Sequence, residues 1–189
     1  MNSDADPRFQ RSRQAILSAA RALLLEKGPV AVTHAQVAER AGVGRATVYR
    51  HWPRSDELLA EAMATVPMPL LDNPTAPTRQ WLTRELTTLA EQLALADVRA
   101  VATTLASTAL WDQQMDARRA QFATILAERL AGALDAAQDR GEVTLAVPVR
   151  DAAAFLVGPI YYRSTIEHGP AGSTLIETLI AAIGAWSAP

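Results

Sequence analysis

Residues 33–53, THAQVAERAGVGRATVYRHWP, determine how the rest of the chain is interpreted. Thr33 stands where an N-cap is expected and Gln36 follows three residues later, a capping-box pattern that predicts a short helix. Gly42-Val43-Gly44 interrupts that helix after two turns, and a second short helix is predicted over 45–51. Two short helices joined by a glycine-containing turn are typical of a helix-turn-helix.

The outward face of the second helix carries side chains that suit a nucleic acid. Arginine can pair bidentately with guanine, whereas tyrosine, threonine and histidine more often hold phosphates. The side chains predicted on this face are Arg45, Thr47, Tyr49, Arg50 and His51. The capped helix start near Thr33 offers free backbone N–H groups to a phosphate. The alternative is a hairpin used only for packing, which would leave these polar side chains in water without a role.

Composition predicts an all-α protein and excludes several kinds of site. Alanine and leucine, both good helix formers, are the two commonest residues. The 189 residues include no cysteine, so disulfides, thiolate metal sites and cysteine nucleophiles are excluded. With only three histidines, we expect no metal and no cofactor. The sequence has no apolar run long enough for a membrane span and no signal-peptide pattern, so we expect no membrane partner and a cytoplasmic location.

The net charge of −2 conceals an asymmetry along the chain. Residues 1–54 contain nine basic residues against four acids, a net charge of +5. Residues 55–189 contain the other nine basic residues against sixteen acids, a net charge of −7. A basic front end on an acidic body indicates a polyanion-binding head joined to a module with a different task.

Apolar periodicity, caps and breakers predict about nine helices in an N-terminal and a C-terminal domain. They are expected at 11–27, 34–41, 45–51, 55–65, 78–95, 98–110, 113–140, 150–167 and 173–187. The predicted organisation is a disordered arm at 1–10, a helix-turn-helix domain at 11–54, a connecting helix at 55–66, a proline-rich linker at 67–77 and a C-terminal domain at 78–189. Trp52 is expected in the core, between the second short helix and the helix that follows it.

The segment 11–63, and above all its stretch GVGRATVYRHWPRSDELLAEAM at 42–63, resembles the DNA-binding domain of the TetR family of bacterial transcriptional repressors. The shared pattern is a glycine-containing turn, a Thr-hydrophobic-Tyr core, an aromatic residue soon after, and a helix that opens with acids and leucines. Family members commonly have Ser-Lys after the aromatic-Pro pair, and that lysine contacts the phosphate backbone. This chain has Arg54-Ser55 instead, so either that contact is missing or Arg54 supplies it. The predicted DNA-binding residues are Thr33, His34, Gly44, Arg45, Ala46, Thr47, Tyr49, Arg50, His51 and Arg54.

The rest of the chain, including LVGPIYYR at 156–163, is more weakly similar to the C-terminal regulatory domain of one TetR subgroup. This resemblance implies that the last two helices pair with a second chain and that the helices after the linker enclose an effector pocket. The apolar face of the last helix independently favours a two-fold partner. The predicted dimer interface consists of Ile160, Leu175, Ile176, Leu179, Ile180 and Ile183. Candidate pocket residues are Leu105, Trp111, Met115, Phe122, Phe155, Tyr161 and Tyr162. An aromatic residue on an amphipathic helix more often belongs to the core, and Tyr161 and Tyr162 could equally form a dimer contact.

The favoured hypothesis is a homodimeric, ligand-responsive transcriptional regulator, a repressor by resemblance, that binds a palindromic operator in double-stranded DNA. Half-sites would lie about 34–36 Å apart, or a multiple of that distance. A small-molecule effector of unknown identity would favour a conformer that no longer matches this spacing. Such a protein would associate with the nucleoid when bound to DNA. The alternative is a small all-α enzyme or ligand carrier without a DNA role, yet the sequence has no Gly-x-Ser-x-Gly, phosphate-binding Gly-rich loop or His-Glu-x-x-His motif.

Overall fold

The computed structural model describes residues 7–187, and this part of the chain forms nine α-helices and one two-stranded ribbon. The helices are α1 Pro7–Lys27, α2 His34–Ala41, α3 Arg45–His51, α4 Ser55–Ala64, α5 Thr78–Ala94, α6 Ala96–Thr108, α7 Gln113–Asp139, α8 Val149–Thr165 and α9 Ser173–Ala182. The strands are β1 Val143–Leu145 and β2 Gly184–Trp186. The predicted all-α class is confirmed. None of the described helices has the length and apolar character that crossing a membrane requires.

The two largest differences from the predicted helix boundaries lie at the start of α1 and at the end of α9, while the other boundaries agree within two residues. Helix α1 covers Pro7–Lys27, so residues 7–10 of the predicted disordered arm are helical, while residues 1–6 lie outside the described residues. At the other end, α9 stops at Ala182, five residues before the predicted end, and the chain continues into β2.

The chain divides into two compact units. The first contains the described residues up to Pro67 together with Ala100–Thr104, and the second contains Met68–Arg99 and the described residues from Leu105 onward. The predicted C-terminal domain, 78–189, included Ala100–Thr104, and the structure groups this part of α6 with the first unit instead. Helical periodicity identifies an apolar face, but it does not identify the unit in which that face is buried.

The core of the first unit forms where α1 packs against α2 and α4. Ile16 of α1, Val37 of α2, Val48 of α3 and Leu58 of α4 are all fully buried. Burying one such side chain contributes about 1.5–3 kcal/mol relative to leaving it in water. Helices α1, α2 and α4 are therefore held together by apolar contacts.

The core of the second unit forms where α5 packs on α8 and α9 and where α7 packs on α8. The apolar residues of α9 belong to this core, because Ile176, Leu179 and Ile180 are at most 3 % exposed. Five of the six residues predicted for the dimer interface are buried inside the protomer, namely Ile160, Ile176, Leu179, Ile180 and Ile183. That prediction is wrong for these five, and Leu175 is the only member of the set that is partly exposed.

The ribbon, which the sequence analysis did not predict, joins β1 to β2 in antiparallel register with Leu145 opposite Gly184. Just before β1, Glu142 accepts hydrogen bonds from Arg140 Nε at 2.6 Å and from the backbone N–H of Thr78, the first residue of α5, at 2.7 Å. The Arg140 hydrogen bond, followed by that of Thr78, lowers the pKa of Glu142 to about 2. Trp186 Nε1 donates to the carbonyl of Ile180 at 2.7 Å, which fastens β2 to α9.

Gly184 permits the close approach of the two strands, and substitution at this position tests whether the ribbon forms. A Cβ at residue 184 would collide with the backbone oxygen of Thr144 and would lie 2.9 Å from Cα of Leu145. We expect Gly184→Ala to lower the free energy of unfolding by about 1–3 kcal/mol in urea denaturation. The control is Gly132→Ala in α7, where nothing lies within 4 Å of an added Cβ. It should raise stability by about 0.5–1 kcal/mol. Equal stability of Gly184→Ala and the unmodified protein would contradict the ribbon.

Candidate DNA-binding site

The turn between α2 and α3 has the geometry that the sequence predicts, with one difference. Thr33 caps α2, since its Oγ1 accepts a hydrogen bond from the backbone N–H of Gln36 at 3.3 Å. The backbone N–H of Thr33 donates to the carbonyl of Ala31 at 2.9 Å, so only the first half of the predicted capping box forms. Gly42 ends α2 with a φ of 66°, the left-handed conformation that glycine adopts at little cost.

Two buried residues fix the orientation of α3. Val48 is fully buried and Trp52 is 4 % exposed, as expected for a tryptophan in the core. The backbone N–H of Trp52 also closes the helix by donating to the carbonyl of Val48 at 2.9 Å. The outward residues are exposed, namely Gly44, Arg45, Ala46, Tyr49 and Arg50, and Thr47 is half-buried.

Only some of the positive charges of the basic head are available to a polyanion. Arg40 is paired with Glu26 at 2.6 Å, and this pairing lowers the pKa of Glu26. Arg54 is exposed and donates from Nε to Asp56 at 3.0 Å, which lowers the pKa of Asp56. Arg45 and Arg50 make no hydrogen bond or ion pair with the residues described between 7 and 187. The structure therefore leaves two unpaired arginines on the outward face of α3.

His34 does not present its side chain outward, contrary to the prediction. The residue is 8 % exposed, and its Nε2 donates a hydrogen bond to the backbone carbonyl of Trp52 at 2.7 Å. Its ring stacks on that of Tyr49, with centroids 4.0 Å apart and planes 8° apart. The side chain of His34 thus supports the exposed Tyr49 from below, and it is not itself a DNA contact.

His51 is half-buried and makes contacts within the protein, and its assignment as a phosphate contact stays a prediction. Its Nε2 lies 3.1 Å from Oγ of Ser12, and its ring lies 4.1 Å from that of Phe9. Both partners belong to α1, so the end of α3 is fastened to α1. Neither partner could be identified from the sequence, because they precede His51 by about forty residues in a helix whose apolar stripe does not include them.

A polar cluster around Trp52 was missed by sequence reasoning. Glu61 of α4 accepts a hydrogen bond from Trp52 Nε1 at 2.6 Å and forms an ion pair with Arg13 of α1. The Arg13 guanidinium also lies over the Trp52 ring, with its central carbon 5.6 Å from the ring centroid. This geometry favours a cation–π contact in addition to the ion pair.

The predicted pocket residues are not assembled into one enclosed site. Trp111 is 89 % exposed between α6 and α7, and Phe155 and Tyr162 are exposed on α8, so the assignment of these three to a pocket stays a prediction. Met115 is fully buried. Leu105, Phe122 and Tyr161 are half-buried, and burial raises the pKa of Tyr161.

Comparison with protein families gives the same interpretation as this geometry. The family model described as "Bacterial regulatory proteins, tetR family" matches residues 16–62, which include the whole helix-turn-helix. The model described as "Tetracyclin repressor-like, C-terminal domain" matches residues 73–183, more than half of the chain. The chain belongs to the TetR family. It is a DNA-binding transcriptional regulator, as its homologues are, and the enzyme alternative is set aside.

Individual relatives of this TetR-family regulator cover nearly the full chain. The uncharacterized HTH-type transcriptional regulator YdeS of Bacillus subtilis (strain 168) is 28 % identical over 179 residues, which cover 92 % of this chain and 88 % of YdeS. NalD, the secondary repressor of the MexAB-OprM multidrug efflux pump in Pseudomonas aeruginosa, gives a TM-score of 0.73 at 20 % identity, covering 95 % of this chain and 98 % of NalD. A TetR transcription regulator from Haloarcula marismortui ATCC 43049 gives a TM-score of 0.70 at 18 % identity, covering 93 % of this chain and 100 % of that regulator. These two structures share the fold with this chain.

The two glycines of the turn provide a matched test of its conformation. Gly42 has a positive φ with open space around it, so Gly42→Ala should cost about 1–2 kcal/mol of unfolding free energy for conformational reasons alone. Gly44 has a φ of −68°, which any residue can adopt, so Gly44→Ala should be neutral or stabilising by up to about 1 kcal/mol. Urea denaturation of both variants measures the difference. Equal effects of the two substitutions would show that the turn does not adopt this conformation.

Proposed function

We propose that this protein is a repressor that binds a palindromic operator as a homodimer and is released by a small-molecule effector. The observation that carries the DNA-binding part is the outward face of α3, where Arg45 and Arg50 are exposed and unpaired within the described chain. Each protomer places α3 in a major groove, and the two protomers read half-sites about 34–36 Å apart or a multiple of that distance. Repression by NalD, a structural neighbour of 20 % identity, is consistent with the proposed direction of regulation.

The proposed contacts divide between bases and backbone. Arg45, the first residue of α3, reads a base edge in the major groove, where guanine offers two acceptors to one guanidinium. Tyr49 and Arg50 contact phosphates and set the orientation of the helix. The capped start of α2 at Thr33 contributes backbone N–H groups to the same strand. Arg54 adds a phosphate contact when its ion pair with Asp56 breaks and its guanidinium binds the DNA backbone instead. Breaking this pair costs little, because an exposed ion pair contributes only about 0–1 kcal/mol.

The proposed dimer interface is the outward side of α8 rather than the buried face of α9. Phe155, Tyr162 and Ile166 are 45–63 % exposed and lie on one stripe of the helix together with the exposed Gly158. Large apolar side chains grouped in this way indicate a surface that another molecule covers. A second copy fits best, because a two-fold axis brings the same stripe from both chains together. TetR-family regulators act as dimers, which agrees with this choice.

The proposed effector binds in the second unit. Trp81 of α5 is completely buried, and its Nε1 has no hydrogen-bond acceptor among the described residues. A buried donor without an acceptor costs about 1–3 kcal/mol, so an effector oxygen placed there would gain that amount. This donor favours an effector with a carbonyl, carboxylate or hydroxyl group next to an apolar body. Compounds that release the bound duplex in a screen would identify it.

The operator contacts are tested by selecting bound duplexes from a random library and then comparing variants on the enriched sequence. We expect an enriched palindrome for the unmodified protein. Arg45→Ala should lose discrimination at one base pair of each half-site, a cost of about 1–3 kcal/mol there, and should leave other positions unchanged. The matched control is Arg50→Ala, which should weaken all duplexes about equally and reduce the salt dependence of binding. An unchanged ranking of operator variants with Arg45→Ala would refute its assignment as a base reader, and no enrichment at low salt would refute the operator proposal.

The dimer interface is tested by adding a charge to the α8 stripe without crowding the protomer. Nothing lies within 4 Å of a Cβ built on Gly158, so Gly158→Glu should leave the fold intact. Two such carboxylates in a two-fold interface should raise the dimer dissociation constant by roughly 100-fold or more in sedimentation equilibrium. Gly132→Glu in α7 is the control, since it is equally exposed and uncrowded, and it should leave the dimer unchanged. A dimer unaffected by Gly158→Glu would place the interface elsewhere.

A further inference from the structure

Glu61 is placed to control Trp52 from α4. Its carboxylate accepts the hydrogen bond from Trp52 Nε1 at 2.6 Å and pairs with Arg13, whose guanidinium lies over the same indole ring. The edge and one face of the ring are therefore held by a single polar cluster. The side chain of Glu61 is 31 % exposed, so solvent screens the charges of this cluster only in part.

Trp52 is connected in turn to the outward face of α3. Its backbone carbonyl accepts the hydrogen bond from His34 Nε2 at 2.7 Å, which requires that His34 carries its proton on Nε2. The His34 ring is thereby fixed parallel to the Tyr49 ring at 4.0 Å. Because His34 and Trp52 are both at least 92 % buried, neither ring has room to choose another orientation.

We infer that Glu61 is a positioning residue for DNA binding, which acts through Trp52 and His34 to hold Tyr49 in its DNA-contacting orientation. The four residues Glu61, Trp52, His34 and Tyr49, each in contact with the next, form the Tyr49 relay. It rests on the proposed function, because the orientation of Tyr49 matters only when a duplex is bound. An aromatic side chain that is already held by stacking loses less conformational entropy on binding, so a duplex binds more tightly to the intact relay.

A role in stability alone would predict a different pattern of effects. If Glu61 only stabilised the fold, its removal would lower the free energy of unfolding and would weaken DNA binding to the same extent whether or not Tyr49 is present. If Glu61 acts through Tyr49, its removal should matter only while Tyr49 is present. A double-mutant cycle separates these two cases, since residues in one network show coupling that independent sites lack.

The cycle uses fluorescence anisotropy of the labelled duplex enriched by selection. Glu61→Leu should weaken binding about tenfold in the unmodified background and less than about twofold in the Tyr49→Ala background. Trp52→Phe, which removes the indole N–H and keeps an aromatic ring, should behave like Glu61→Leu. Glu61→Gln is the control, because its amide oxygen still accepts from the indole, and it should weaken binding less than about threefold. Equal fold-changes for Glu61→Leu in both backgrounds would overturn the inference.

A second measurement needs no DNA and so distinguishes failure of the relay from failure of the proposed function. Stacking on His34 should shift the ring-proton resonances of Tyr49 upfield in the nuclear magnetic resonance spectrum of the intact protein. Glu61→Leu and Trp52→Phe should return them toward ordinary tyrosine positions, whereas Glu61→Gln should leave them in place. Unchanged resonances in both Glu61→Leu and Trp52→Phe would overturn the relay even if the duplex binds. If the unmodified protein shows the upfield shift but binds no duplex, the operator proposal would be refuted, and with it the role of Glu61 in binding, while the relay geometry would stand.

Discussion

Helix α3 has seven residues, and isolated helices shorter than about 12–15 residues are only marginally stable in water. The DNA-binding unit therefore depends on tertiary contacts that stabilise α3. Helix α3 forms because its surroundings hold it, chiefly through Val48 in the core and Trp52 at its end. Trp52 receives interactions from α1, α2 and α4 at once. The outward side chains of α3 therefore have a defined direction only as long as this one tryptophan is held.

Ion pairs reduce the number of positive charges in the N-terminal segment that are available to DNA. From the sequence alone, the first 54 residues have a net charge of +5, which indicates a general polyanion-binding surface. In the structure, Arg13 and Arg40 are engaged with Glu61 and Glu26, and Arg54 is engaged with Asp56. These pairs explain why a basic head can be folded without large internal repulsion. On α3 itself, Arg45 and Arg50 have no described partner and are exposed.

Local rules predicted much of the fold and part of the site. The cap at Thr33, the glycine break at Gly42 and the length of α3 depend on neighbours within a few residues, and the structure confirms all three. The inward orientation of His34 and the pairing of Arg13 with Glu61 depend on residues 18 and 48 positions away, about which helical periodicity carries no information. A pattern of polar and apolar residues identifies the faces of a helix, but it does not identify their partners.

The apolar residues of the last two helices illustrate this ambiguity, because a stripe that fills a core and a stripe that meets a second chain have the same sequence pattern. On α9 the buried stripe is used within the protomer, next to the ribbon that β2 forms with β1. Helix α8 differs, since Leu156 and Ile160 fill the core while Phe155 and Tyr162 remain exposed on another side. A helix that is apolar on two sides requires two partners. Its own protomer supplies one of them, and this is the physical reason for assigning the proposed dimer contact to α8.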